Sequence, residues 1–300
     1  MPAAAERRPS GPVTDGERWA RDALGELREA GYPPRAWARF LRASHRRSRA
    51  VHAARPALVR QARTWMALGT AAWVAPAMLG IQPFRRRLVP GLRGWAITSL
   101  MLEWHLGMLE TEDGRPRALG PADACTLARA WLVPLAADRP TTLVCAAGFA
   151  SDGLDGMLAR AGIPTRAGRD LEGVVDAAFS VAAVRGGVRQ GWLPAPAAAA
   201  ELGRLTLGAA VGSVLYFRGA ARPDPRITHA GRAFTPLRAA GLLAASRGWR
   251  RAAGAFVTMA AASGAAAVVE AAASSRPSGT QLAGAKSAAP LFDSAGARPM

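Results

Sequence analysis

Four carboxylates stand in otherwise apolar sequence. Asp152 and Asp155 lie in Ser-Asp-Gly-Leu-Asp-Gly-Met-Leu-Ala-Arg, and Glu172 and Asp176 in Gly-Arg-Asp-Leu-Glu-Gly-Val-Val-Asp. Ionised carboxylates are costly in an apolar helix unless they are paired or bind a metal, so residues of this kind point to function before stability. Spacings of three and four residues put each pair on one helical face. Two such faces brought together would form a four-carboxylate site for a hard divalent cation, Mg²⁺ or Mn²⁺.

The elements that must carry these faces are helices. Half of the 300 residues are apolar, and between residues 126 and 270 Ala, Val, Leu and Gly dominate, broken by short Arg-rich or Pro-containing gaps. A helix that spans a bilayer needs roughly 20 mostly apolar residues. The expectation is therefore an all-α, polytopic membrane protein: a six-helix transmembrane bundle preceded by cytoplasmic or interfacial helices. The six are expected near 122–138, 141–160, 169–187, 193–217, 233–246 and 252–271.

Residues 1–18 and 273–300, rich in Ala, Ser, Gly and Pro without apolar periodicity, read as disordered tails. Between 19 and 119 the chain is basic and helical in pattern, with a break expected at Pro33-Pro34. This stretch contains two apolar segments, 65–81 and 95–109, separated by Phe84-Arg85-Arg86-Arg87. If both crossed the membrane, that arginine cluster would face outward, against the tendency of basic residues to stay inside, so interfacial or re-entrant helices are expected here. His105 reads as a polar-face residue and not a ligand. No signal peptide is evident.

The formal net charge of +18 is carried almost wholly by arginine, Lys286 being the only lysine. No nucleic-acid recognition module accompanies it, and contact with anionic lipid headgroups accounts for it more simply. No nucleic-acid partner is expected. Cys125 and Cys145 match no metal-ligand spacing and read as buried free thiols. Placing the basic N-terminal half inside gives a multi-pass protein of the cell membrane with its carboxylates towards the cytoplasm.

The carboxylates form part of a longer pattern. From Asp152 the chain runs two residues to Asp155-Gly156, two more to Ala159-Arg160, seven to Gly168, three to Glu172 and three to Asp176. This resembles the signature of the CDP-alcohol phosphatidyltransferase family, D-x2-D-G-x2-A-R followed by G-x3-D-x3-D, with Glu at 172 in place of Asp. Asp123 to Arg129, followed by Pro134, resembles the family's N-x2-T-x2-R, and Gly231-Arg232-Ala233-Phe234-Thr235 its G-K-x2-T. The resemblance covers about half the chain, residues 120–272.

The resemblance implies an integral membrane transferase of phospholipid biosynthesis. It would move a phosphatidyl or related phospho-alcohol group from a CDP-linked donor, CDP-diacylglycerol foremost, to a small alcohol or phospho-alcohol acceptor and release CMP. It implies two divalent ions held by Asp152, Asp155, Glu172 and Asp176, with Asp176 also the base that deprotonates the acceptor. Gly156, Ala159, Arg160 and Gly168 would lie against the nucleotide, while Arg129, Arg166 and Arg232 are weaker candidates for acceptor or phosphate contact. A homodimer is also implied. The residues leave two other readings open: a catalytically degenerate member acting as a membrane scaffold, with Glu172 as the lesion, and a UbiA-type prenyltransferase, whose Asp-rich motifs normally lie much farther apart.

Overall fold

The computed structural model describes residues 14–111, 114–161, 166–218 and 233–274, and these form ten α-helices, one 3₁₀ turn and no strand. The helices are α1 (Asp15–Glu29), α2 (Pro34–Ala54), α3 (Pro56–Met78), α4 (Phe84–His105), α5 (Pro121–Asp138), α6 (Thr142–Ala161), α7 (Arg166–Arg189), α8 (Ala195–Arg218), α9 (Thr235–Ser246) and α10 (Arg250–Ser274). The six helices expected between 122 and 271 are α5 to α10.

The first helix begins earlier than its sequence suggested. Residues 15–18, expected in the tail, are helical, because the Thr14 side chain caps the first turn and Asp15 and Glu17 complement the helix dipole there. Its other end closes with Gly31 and Tyr32 in the left-handed region, Tyr32 N–H donating to Leu27 O. Pro34 then starts α2, the first turn being the one place in a helix where a missing N–H costs nothing.

The segments expected to be interfacial or re-entrant form an antiparallel hairpin, α3 against α4, locked by two glycine–tryptophan pairs. A Cβ on Gly69 would lie 2.1 Å from the Trp95 ring, and one on Gly91 would lie 2.4 Å from the Trp73 ring. Trp95 Nε1 donates to Met66 O at 2.8 Å, which satisfies the indole while its ring stays buried. Trp73 packs with Phe84 and with Trp131 of α5, and Trp131 Nε1 donates to Gly69 O at 3.1 Å. Pro90 breaks the hydrogen-bond ladder of α4, which kinks at Arg87. At that kink Arg86 and Arg87 both pair with the buried Asp138 at the end of α5.

Helix α5 belongs to two apolar cores. One unites α3, α4 and α5 around Trp73, Trp95, Leu102 and Leu127; the other unites α5 to α10 around Phe179, Leu193, Leu242 and Val257. Small residues bring the backbones together in the second: a Cβ on Gly148 would strike the Phe179 ring at 2.1 Å, and one on Gly186 would meet Ala136 O at 2.2 Å. Arg21 and Arg28 of α1 stack over the rings of Tyr216 and Phe217 at the end of α8, tying the N-terminal helix to the bundle.

Among the described residues two helices are long and apolar enough to cross a membrane, at Ala195–Phe217 and Arg250–Ala273. Only 17% of the α8 window is buried, so its apolar surface is not spent on the protein's own core. The other four helices of the expected bundle fall short for physical reasons. At 12 residues α9 is about 18 Å long, well below a hydrocarbon thickness of about 30 Å. Charged residues interrupt α5, α6 and α7.

The hairpin lock can be tested by overpacking. Gly69→Leu and Gly91→Leu should each destabilise the protein by about 1–3 kcal/mol, whereas Gly25→Ala, where nothing lies within 4 Å, should be neutral or slightly stabilising. Thermal denaturation of the purified variants reads the difference.

Candidate metal centre

Three helices converge on the carboxylates. Helix α5 supplies Thr126 and Arg129, α6 supplies Ser151, Asp152 and Asp155, and α7 supplies Glu172 and Asp176. The offsets of three and four residues turn each set towards one point. Gly148, one turn before Asp152, lets the Phe179 ring of α7 approach beside the site, while α6 and α7 each pack mainly on α5.

Asp152, Glu172 and Asp176 each offer a carboxylate oxygen, and these atoms all lie within 4.8 Å of one another. Octahedral Mg²⁺ with oxygens at 2.0–2.1 Å places them about 2.9 Å apart when adjacent and about 4.2 Å when opposite. A small side-chain adjustment therefore closes the cluster on an ion. The donor set, oxygen alone, is that of a hard divalent cation. Glu172 reaches the cluster despite its extra methylene.

Asp155 is placed differently. It is buried, accepts a hydrogen bond from Thr126 Oγ1 at 2.6 Å and lies 3.6 Å from Arg129 Nη2, outside the group of three. Arg129 stands at the middle of the whole assembly with 1% of its surface exposed. Its Nη1 pairs with Asp176 and lies 3.4 Å from Asp152, while Nε donates to Ser151 Oγ at 3.2 Å. Ser151 Oγ in turn donates to Gly148 O at 2.7 Å, which fixes the hydroxyl as acceptor for Arg129. A guanidinium drawn between Asp152 and Asp176 marks that point as one where positive charge is favoured.

The cluster opens on a cavity of about 400 Å³ lined by residues of α5 to α10, within the usual size for small-molecule sites. Arg129, Asp152 and Asp176 form part of its wall; Gly208, Ala209 and Gly212 of α8 form a smooth stretch; Arg204 of α8 and Arg238 of α9 supply further charge. Sequence reasoning missed these last two and their partner Glu201. The signal was available, since Glu201 and Arg204 are charges three residues apart in an apolar helix, the same pattern that drew attention to Asp152 and Asp155. Arg238 offered no such clue.

The remaining sequence-predicted residues are scattered in their status. Gly156 is half-buried on α6, one turn beyond Asp152. Ala159, Arg160, Arg166 and Gly168 lie in helical backbone at the facing ends of α6 and α7, their side chains being outside those described. Arg232 and Gly231 lie outside the described residues. Asp123, the first residue of the α5 pattern, is buried and accepts the Gly120 N–H at 2.7 Å, fixing the start of that helix. Cys145 is buried and Cys125 half-buried, both as free thiols. Comparison of the chain with protein-family models, with curated proteins and with solved structures finds no match.

Removing the central cation should be costly. Arg129→Leu leaves Asp155 buried without its guanidinium and Asp152 and Asp176 facing each other without that charge between them, and should destabilise the protein by about 3–5 kcal/mol. Thr126→Val, which removes one neutral donor from Asp155, should cost about 1–3 kcal/mol. Thermal unfolding without divalent ions gives the order: Arg129→Leu well below Thr126→Val, and both below the parent.

Proposed function

We propose that the protein is an integral membrane transferase resembling the CDP-alcohol phosphatidyltransferases, moving a phosphatidyl group from a CDP-linked lipid to an alcohol acceptor with release of CMP. One observation carries this reading: Asp152, Glu172 and Asp176, drawn from two carboxylate pairs whose spacing matches that family, bring their oxygens within 4.8 Å of one another, and Asp152 and Asp176 line a cavity. In this reading α5 to α10 form the membrane bundle, α8 and α10 crossing fully, with the carboxylate end towards the cytoplasm.

The residues divide the work by type. Asp152, Glu172 and Asp176 would hold the divalent ions, with Asp155 joining them by turning from Thr126. Bound Mg²⁺ or Mn²⁺ supplies charge neutralisation on the attacked phosphoryl group and on the departing CMP. The acceptor hydroxyl forms the new P–O bond as the P–O bond to CMP breaks, and CMP leaves with that electron pair. Asp176 takes the hydroxyl proton; its pairing with Arg129 fixes where its carboxylate points, and position is what a weak base of this kind requires. Gly156 and Gly168 would allow the nucleotide close to the backbone, and Arg160 would pair with its phosphates. CDP-diacylglycerol would enter from the bilayer, alongside the apolar face that α8 leaves uncovered.

The scaffold alternative treats Glu172 as a lesion. Its presence within the three-carboxylate group favours the enzyme.

The test is CMP release by the full chain in lipid with CDP-diacylglycerol and a panel of alcohols, with and without Mg²⁺ or Mn²⁺. Divalent-dependent release is expected with at least one acceptor, reduced about 10²–10⁴-fold by Asp176→Asn. Silence across the panel in the parent and in Glu172→Asp alike would count against the transferase and favour the scaffold.

A further inference from the structure

The wall of the cavity formed by α8 and α9 carries its own charge cluster. Glu201 is fully buried, and Arg204 and Arg238 are each 7% exposed. Arg204 takes both carboxylate oxygens of Glu201, Nε to Oε2 at 2.9 Å and Nη2 to Oε1 at 2.6 Å. Arg238 Nε lies 3.0 Å from the same Oε1 but off the hydrogen-bond direction, and this buried nitrogen makes no hydrogen bond. Among the described residues, then, two buried guanidinium groups share one carboxylate, and the second is badly served by it.

Asp152, across the same cavity, offsets the charge of Arg238 only from a distance, and a local excess of buried positive charge is costly unless an anion completes it. Both arginines line the cavity, together with Thr235, the first residue of α9, whose N-terminal turn has no side-chain cap. An uncapped helix N-terminus adds to the same preference for negative charge. Gly264 of α10 holds the Arg204 stem in place: a Cβ there would lie 2.9 Å from Arg204 Cδ. The cavity is therefore polarised, with carboxylates on the wall of α6 and α7 and guanidinium groups on that of α8 and α9.

We propose that Arg204 and Arg238, braced by Glu201, bind a phosphomonoester, the charged group of an acceptor whose hydroxyl faces Asp176. Paired guanidinium forks suit phosphate geometry, and a phosphate here would give Arg238 the partner that Glu201 does not. The assignment of this anion as the acceptor rests on the transferase reading; the anion site itself does not.

The experiment uses the full chain in nanodiscs of zwitterionic lipid, without CDP-linked donor or divalent ion, titrated calorimetrically with glycerol 3-phosphate, inorganic phosphate and glycerol. Saturable binding of the two phosphates and none of glycerol is expected. Arg204→Gln and Arg238→Gln should each weaken binding at least tenfold, Arg238→Lys should lose less, and Arg250→Gln, an exposed arginine at the start of α10, should change nothing. Should the glutamine variants fail to fold, the melting temperature of the parent decides: it should rise with glycerol 3-phosphate and not with glycerol. Repeating the titration with phosphatidate in the discs separates the sources, since competition would identify a lipid phosphomonoester and its absence a soluble one. No binding by the parent, or binding that survives Arg238→Gln, overturns the proposal. Phosphate binding without CMP release would overturn the transferase and leave this site standing; CMP release with an uncharged alcohol and no phosphate binding would do the reverse.

Discussion

Arg129 is the charge around which the rest is arranged. Its guanidinium, with 1% of its surface exposed, pairs with Asp176 and stands within 3.6 Å of Asp152 and Asp155, on two helices other than its own. Arg129 and Asp155 are buried and neither is tolerable alone in an apolar interior; the pairing of Arg129 with acids on both α6 and α7 holds only when α5, α6 and α7 are in register. The polar network thus fixes the relative rotation of three helices whose apolar surfaces, mostly Ala, Val and Leu, would accept several arrangements.

The remaining architecture keeps α5 where that network needs it. On one side the α3–α4 hairpin, drawn close by Gly69 and Gly91 against tryptophan rings, packs on Trp131. Asp138, buried at the far end of α5, is held by Arg86 and Arg87 at the kink of α4. On the other side Gly186 admits the backbone of α5 at Ala136, setting α7 against it. Residues 19–119, which the motif does not explain, are therefore in large part the support for the helix that carries Arg129.

How far the chain could be read depends on where the information lies. Helix positions and the two carboxylate pairs were legible because both are local: apolar runs, proline and glycine punctuation, and spacings of three and four residues. The start of α1 at Asp15 was missed because its cap depends on Thr14 alone within a compositionally tail-like stretch. The convergence of Arg129 with the acids, the turning of Asp155 to Thr126, and the second charge cluster at Glu201, Arg204 and Arg238 arise between helices distant in sequence. No local periodicity encodes which face of α8 meets α9. Of the six expected spans, α8 and α10 are long and apolar enough to cross a bilayer, whereas α9, with 12 residues against the 14 expected at 233–246, is too short to do so.

The most direct measurement is of Mn²⁺ binding to the purified full chain by electron paramagnetic resonance, following loss of the free-ion signal with no substrate present. The expected result is saturable binding that Mg²⁺ displaces, abolished by Asp152→Asn together with Asp176→Asn and retained in Arg204→Gln. An unchanged free-ion signal with the parent protein, or binding indifferent to the loss of Asp152 and Asp176, would contradict the claim that the two carboxylate pairs form one cation site.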